Sequence, residues 1–217
     1  DVIGISGLGA ARWRIAQGPD QEVVTLQVPG AVGWREVSPV AGTDDKWWAV
    51  AMSADAGTLL AAANEGRLYL SQDGGGHWRI AVEGIRNWSG VAMDATGQTL
   101  VAAAYGGSLW VSREGGECWV ESLPGPGHAW GPVAISEDGT RILAAEKPGR
   151  LHVSTDGGRT WNARLEPREW RGVAVAGPTG QNMTAMALDG TVWTSDDQGE
   201  TWTERVTGFP PLQRVAA

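Results

Sequence analysis

The chain repeats itself with a period near 41 residues, and this limits it to architectures built by stacking copies of one small unit. Four segments end alike. They are Ser71-Gln-Asp73-Gly-Gly75-Gly-His77-Trp78, Ser112-Arg-Glu114-Gly-Gly116-Glu-Cys118-Trp119, Ser154-Thr-Asp156-Gly-Gly158-Arg-Thr160-Trp161 and Ser195-Asp-Asp197-Gln-Gly199-Glu-Thr201-Trp202. A second marker, Trp-x-x-Val-Ala, lies upstream of each: Trp47 with Val50-Ala51, Trp88 with Val91-Ala92, Trp130 with Val133-Ala134 and Trp170 with Val173-Ala174. A fifth copy with leucine in place of tryptophan is Leu212-Gln-Arg-Val215-Ala216.

Each unit holds four short β-like runs. In the second full unit they are Gly90–Met93, Thr99–Ala104, Ser108–Ser112 and Cys118–Ser122. Turn clusters at 94–97, 105–107 and 114–117 separate them. No apolar stripe of helical period runs through the sequence, which sets aside a helical solenoid. Four strands per unit with tight turns predict an all-β fold, a β-propeller of four-stranded antiparallel blades.

The whole chain is expected to be one domain. Residues 1–46 read as a degenerate first blade, with strands at Val2–Ser6, Arg12–Ala16 and Val23–Gln27 and an outer strand from Trp34. Its turn has lost the repeat motif, since Gln27, Pro29, Ala31 and Gly33 occupy the key positions. Residues 47–211 hold the four regular repeats, and 212–217 read as a closing strand. Length and repeat count predict a five-bladed ring; the alternative is part of a six- or seven-bladed one.

Composition narrows the function. The chain has 13 Trp against one Phe, the skew that a repeated tryptophan position produces. Net charge is −8, and the only lysines are Lys46 and Lys147. No basic run is present, so no nucleic-acid partner is expected and anionic membrane surfaces are disfavoured. No apolar run approaches the roughly 18 residues of a spanning helix, so no membrane insertion is expected. Cys118 is the only cysteine and cannot form an intrachain disulfide. The first residue is Asp1, which fits a mature chain after signal removal or the ordered part of something longer. An extracytoplasmic location (secreted, periplasmic or in an organelle lumen) is the expectation.

The pattern Ser-x-Asp-x-Gly-x-Thr-Trp resembles the Asp box, or bacterial neuraminidase repeat. The likeness is to the wider group of Asp-box propellers, which includes sialidases, sortilin-type receptors, several lectins and photosystem II assembly and stability factors. It covers residues 47–217 well and 1–46 poorly. The resemblance implies that the motif turn joins the third and fourth strands of a blade, away from the ligand face. A structural role then follows for Ser71, Asp73, Gly75 and Trp78, for Ser112, Glu114, Gly116 and Trp119, for Ser154, Asp156, Gly158 and Trp161, and for Ser195, Asp197, Gly199 and Trp202. The chemistry agrees, because aspartate accepts bonds from turn amides and glycine permits positive φ. Glu114 and Cys118 depart from the pattern, so the second copy should be the weaker turn, with Cys118 a packed substitute for threonine.

Most of the tryptophans read as wedges between blades. If the inner strands start on one face, that face also carries the turns between second and third strands, opposite the Asp boxes. It would present the loops 44–48, 86–88, 128–130 and 168–171 and the turns 64–67, 105–108, 147–150 and 188–191. Binding candidates there are Trp47, Trp48, Arg86, Trp88, Tyr105, His128, Trp130, Lys147, Arg168 and Trp170. Aromatic rings beside amides and charges can anchor a protein or stack on a sugar.

Three functions compete. A protein-docking scaffold, which could be a subunit of a larger assembly, predicts a face whose chemistry differs from blade to blade. A lectin would use exposed inner-strand tryptophans with matching polar neighbours, but Lys46, Asn87, Ala129 and Glu169 precede them. A sialidase-like hydrolase would need a tyrosine nucleophile and an arginine cluster. Only Tyr69 and Tyr105 are present, and the Arg-Ile-Pro element is absent. His77, His128 and His152 fall at unrelated repeat positions, so no metal and no cofactor is expected. The expectation is a non-catalytic recognition protein with a protein partner, carbohydrate being the second choice.

Overall fold

The computed structural model describes residues 46–123 and 127–206. The degenerate first blade with Trp34 and the closing strand expected at 212–217 lie outside the described residues.

The described residues form four four-stranded antiparallel sheets. Blade I is β1 (Lys46–Met52), β2 (Leu59–Asn64), β3 (Gly66–Ser71) and β4 (Arg79–Arg86). Blade II is β5 (Trp88–Met93), β6 (Leu100–Ala104), β7 (Leu109–Ser112) and β8 (Val120–Leu123). Blade III is β9 (Trp130–Ile135), β10 (Ile142–Glu146), β11 (Gly149–Ser154) and β12 (Asn162–Arg168). Blade IV is β13 (Trp170–Ala176), β14 (Asn182–Ala187), β15 (Val192–Ser195) and β16 (Thr203–Val206). Strand order follows chain order in every blade. The inner strands β1, β5, β9 and β13 touch in sequence, so the blades stand side by side about a common axis.

The register repeats with the sequence. Leu59 pairs Ser71, Leu100 pairs Ser112, Ile142 pairs Ser154 and Met183 pairs Ser195. In blades I to III the second strands are mostly aliphatic residues and alanine because both of their faces are covered. Leu60 and Ala62 of blade I face Trp88, Leu100 and Ala102 of blade II. Leu143 and Ala145 of blade III face Trp170, Met183 and Ala185 of blade IV in the same way. Alanine at the centre lets neighbouring sheets approach closely. In blade IV the forward-facing positions carry Thr184 and Met186, and both are exposed.

The Asp boxes join third to fourth strands, and their serine and acidic side chains bond within the turn. In blade III, Ser154 Oγ donates to Asp156 Oδ1 (2.8 Å) and accepts from Gly158 N (2.7 Å). Asp156 also accepts from Thr160 N (2.9 Å) and Thr160 Oγ1 (2.6 Å). Blade IV repeats this with Ser195, Asp197, Gly199 and Thr201. In blade I, His77 replaces threonine and its Nδ1 meets Asp73 Oδ2 at 2.5 Å. In blade II, Ser112 Oγ still accepts from Gly116 N (2.9 Å). The expectation of a packed Cys118 is corrected: the residue is exposed, as Thr160 and Thr201 are, and its thiol meets Glu114. That bond to a carboxylate, with the charge behind it, pushes the Cys118 thiol up, away from the reactive thiolate.

The same turns lock blade to blade. Arg79 Nη2 of blade I donates to Gly116 O of blade II at 3.0 Å, Ser122 Oγ of blade II to Gly158 O of blade III, and Arg164 Nε of blade III to Gly199 O of blade IV at 2.9 Å. Trp161 Nε1 crosses back to Ser122 Oγ (2.8 Å), while Trp119 and Trp202 bond Gly116 O and Gly199 O of their own turns. The Asp-box glycines of blades II, III and IV are thus joints between sheets.

Candidate functional site

At the end of the blades opposite the Asp boxes lies a pocket of about 560 Å³. It forms where the inner strands begin and the second strands end. Blade I contributes Trp48 and Asn64, blade II Asn87, Trp88, Ser89 and Tyr105, blade III Trp130, Gly131, Pro132, Lys147 and Pro148, and blade IV Glu169 and Arg171. All four described blades therefore meet at this one site.

The lining falls on equivalent repeat positions. The residue at the end of the second strand, or just past it, is Asn64, Tyr105 and Lys147 in blades I to III. The residue after the inner-strand tryptophan is Trp48, Ser89, Gly131 and Arg171. The backbone frame beneath them repeats: Tyr105 N bonds Asn87 O (2.8 Å), Lys147 N bonds Ala129 O (2.6 Å) and Leu188 N bonds Glu169 O (2.8 Å). A fixed frame thus carries different side chains in each blade.

The site is polarised. Trp48 and Tyr105, 62% and 54% exposed, supply aromatic surface on the side of blades I and II. Asn64 and Asn87 stand beside them. Lys147 and Arg171 supply positive charge on the side of blades III and IV. Arg171 is loosely held by Glu169 at 3.6 Å. Lys147 Nζ makes no ion pair among the described residues, although Glu146 precedes it in sequence. That carboxylate is occupied elsewhere: Oε1 meets His128 Nδ1, and Oε2 meets His152 Nε2 at 3.3 Å. Burial raises the Glu146 carboxyl, but the two imidazole bonds outweigh it and hold it below its ordinary value. Burial holds His152 below the ordinary imidazole value against the pull of Glu146. The stem of Lys147 lies over Gly131, where an added Cβ would sit 3.5 Å from Lys147 Cβ.

Of the residues expected on this face, the pocket gathers Trp48, Trp88, Tyr105, Trp130 and Lys147. One part of the expectation is corrected. Trp88, Trp130 and Trp170 are buried, because each ring wedges against the preceding blade, and so they cannot offer three equivalent stacking surfaces. Trp88 and Trp130 form only the floor. Trp170 Nε1 is committed to Gly149 O (2.9 Å). Trp47, 37% exposed, leans on Tyr69 with ring centroids 5.5 Å apart. Arg86 lies over Trp110 at 4.7 Å, His128 stacks on Trp130 at 5.2 Å, and Arg168 pairs Asp189 at 2.9 Å. These four line the surroundings and not the pocket. Asn64, Asn87, Ser89, Glu169 and Arg171 do not stand out in the sequence as binding candidates, although four of them fall in the loops and turns named there and Ser89 lies next to one.

Among the described residues no group of three or more His, Cys, Asp or Glu side chains could hold a metal ion, and no helix is long and apolar enough to cross a membrane. The four sheets and their turns are those of an Asp-box β-propeller. The BNR/Asp-box repeat family matches at residues 152–163 and 193–204, the boxes of blades III and IV. No curated protein matches the sequence significantly.

Solved propellers match the fold. The GH74 enzyme of Niastella koreensis superposes with a TM-score of 0.56 at 21% identity, over 72% of this chain and 24% of that one. The GH74 xyloglucanase of Xanthomonas campestris gives 0.55 at 18% identity, over 72% and 29%. YCF48 from Cyanidioschyzon merolae gives 0.56 at 15% identity, over 81% and 64%. The chain spans about a quarter of the length of the GH74 enzymes. At these identities the likeness is one of fold.

Proposed function

We propose that this chain is a non-catalytic recognition scaffold that binds a protein partner through the pocket-bearing face opposite its Asp boxes. The observation that carries the reading is the ring of equivalent positions with unlike side chains. Repeated identical ligands would call for repeated chemistry, whereas Trp48, Tyr105, Lys147 and Arg171 favour a single partner in one orientation. The Asp boxes are committed to their own turns and to the neighbouring blade, which leaves them a structural role. We also infer a further blade after blade IV, giving five. Thr184 and Met186 stand exposed where Leu60 and Ala62, Val101 and Ala103, and Leu143 and Ala145 are buried in the other three blades.

Site-specific photo-crosslinking tests the face. A crosslinker at Asn87 should capture a discrete partner that one at Glu137, on the Asp-box face, does not. Equal capture from both positions would remove the reading. A single carbohydrate in the same pocket is the second reading, favoured by the exposed rings of Trp48 and Tyr105 beside two asparagines. A hit on a glycan array that is lost in W48A would favour it.

A further inference from the structure

We infer that the pocket recognises a peptide carboxylate next to an apolar side chain, the carboxylate at Lys147 and Arg171 and the apolar group against Trp48 and Tyr105. The inference rests on the proposed face and names the chemistry the face reads. Its basis is the separation of the lining into two halves. Aromatic surface comes from blades I and II, and positive charge comes from blades III and IV.

The state of the two pocket cations supports an anionic ligand. Three other cations at this end of the blades meet carboxylates. Lys46 has Glu65, Arg150 has Glu166 and Arg168 has Asp189. Lys147 has no such partner among the described residues. The nearest carboxylate in sequence, Glu146, is held by His128 and His152, with Arg150 N donating to it as well. These bonds turn it away from the role of counter-ion. Arg171 keeps only the 3.6 Å approach of Glu169, a length from which a carboxylate on a ligand can draw it. A carboxylate between the two cations would gain charge-assisted hydrogen bonds. Asn64 and Asn87 make no side-chain bond among the described residues, and each amide can both donate to and accept from a peptide backbone. The volume of about 560 Å³ suits a short segment and not a folded surface.

The test uses the full chain and synthetic peptides, read by calorimetry and by tryptophan fluorescence. The probes are acetyl-Gly-Phe-Glu-Gly-amide, its glutamine counterpart, and acetyl-Gly-Gly-Phe as the free acid. Each acidic probe should bind about tenfold more tightly than the glutamine peptide. K147M, which keeps the stem over Gly131, should remove that preference, and K147R should restore it. W48A should weaken all three peptides together. The two acidic probes separate a side-chain carboxylate from a C-terminal one, and stronger binding of either supports the inference. Equal binding of acid and amide would overturn it while leaving the face intact. Absence of binding by every peptide, with crosslinking from Asn87 still selective, would overturn it in the same way. Failure of the crosslinking itself would instead strike the underlying reading.

Discussion

Gly158, in the Asp box of blade III, lies so close to Val111 of blade II that a Cβ there would fall 2.9 Å from Val111 Cγ2. Its φ is +77°, as is that of Gly106, where an added Cβ would meet nothing within 4 Å. The pair separates two costs. G106A should lose about 1–2 kcal/mol, the cost of a side chain in the left-handed region. G158A should lose that and a further ~1–3 kcal/mol for the clash with a stiff, buried valine. Denaturant unfolding of both variants checks it, and equal losses would count against the blade contact.

The Asp-box carboxylates predict acid sensitivity. Bonds from the Thr201 hydroxyl and amide and from Ser195 hold Asp197 down to about 2. Burial raises Asp156, but bonds from Thr160, Ser154 and Arg159 outweigh it and bring it to about 2. The His77 amide and ring hold Asp73 well below the carboxylate range. Folded values below the ordinary 3.8 mean that these groups stabilise the fold above that pH, and that the gain is lost as pH falls toward 2. The melting temperature should drop between pH 4 and 2, and D156N and D197N should each flatten the drop.

Restoring the second box should stabilise the chain. E114D/C118T supplies the shorter acid and the hydroxyl found in blades III and IV. The double variant should gain about 1 kcal/mol, with each single variant gaining less because the two groups bond each other. Chemical denaturation of the three variants measures the coupling.

Stability and binding should divide among the tryptophans. W130A removes a fully buried ring and should cost roughly 3–5 kcal/mol. W48A should stay within about 0.5 kcal/mol of the parent while losing ligand binding. Acrylamide quenching should be relieved mainly by loss of Trp48.

The strands and the division of faces were legible in sequence because the repeat fixes both. The run expected at Thr99–Ala104 forms Leu100–Ala104, and Tyr105 and Lys147 fall at the pocket end as their place after a second strand requires. The fate of the inner-strand tryptophans was not legible. A ring at a strand start can turn to either side of the sheet, and only the blade beside it decides that Trp88, Trp130 and Trp170 are covered. The freeing of Lys147 was equally hidden, because Glu146 is diverted by one histidine before β9 and another within β11.

The interlocking of glycine with the preceding blade makes the blades modular in one respect and unique in another. Blades II and III place their joints at the same repeat position, Gly116 against Leu70 and Gly158 against Val111. Exchanging these blades would carry the amine of Lys147 to the place now held by Tyr105. The order of the repeats along the gene is thus a spatial code: a rearrangement too mild to disturb folding would rewrite the face that we propose receives the partner.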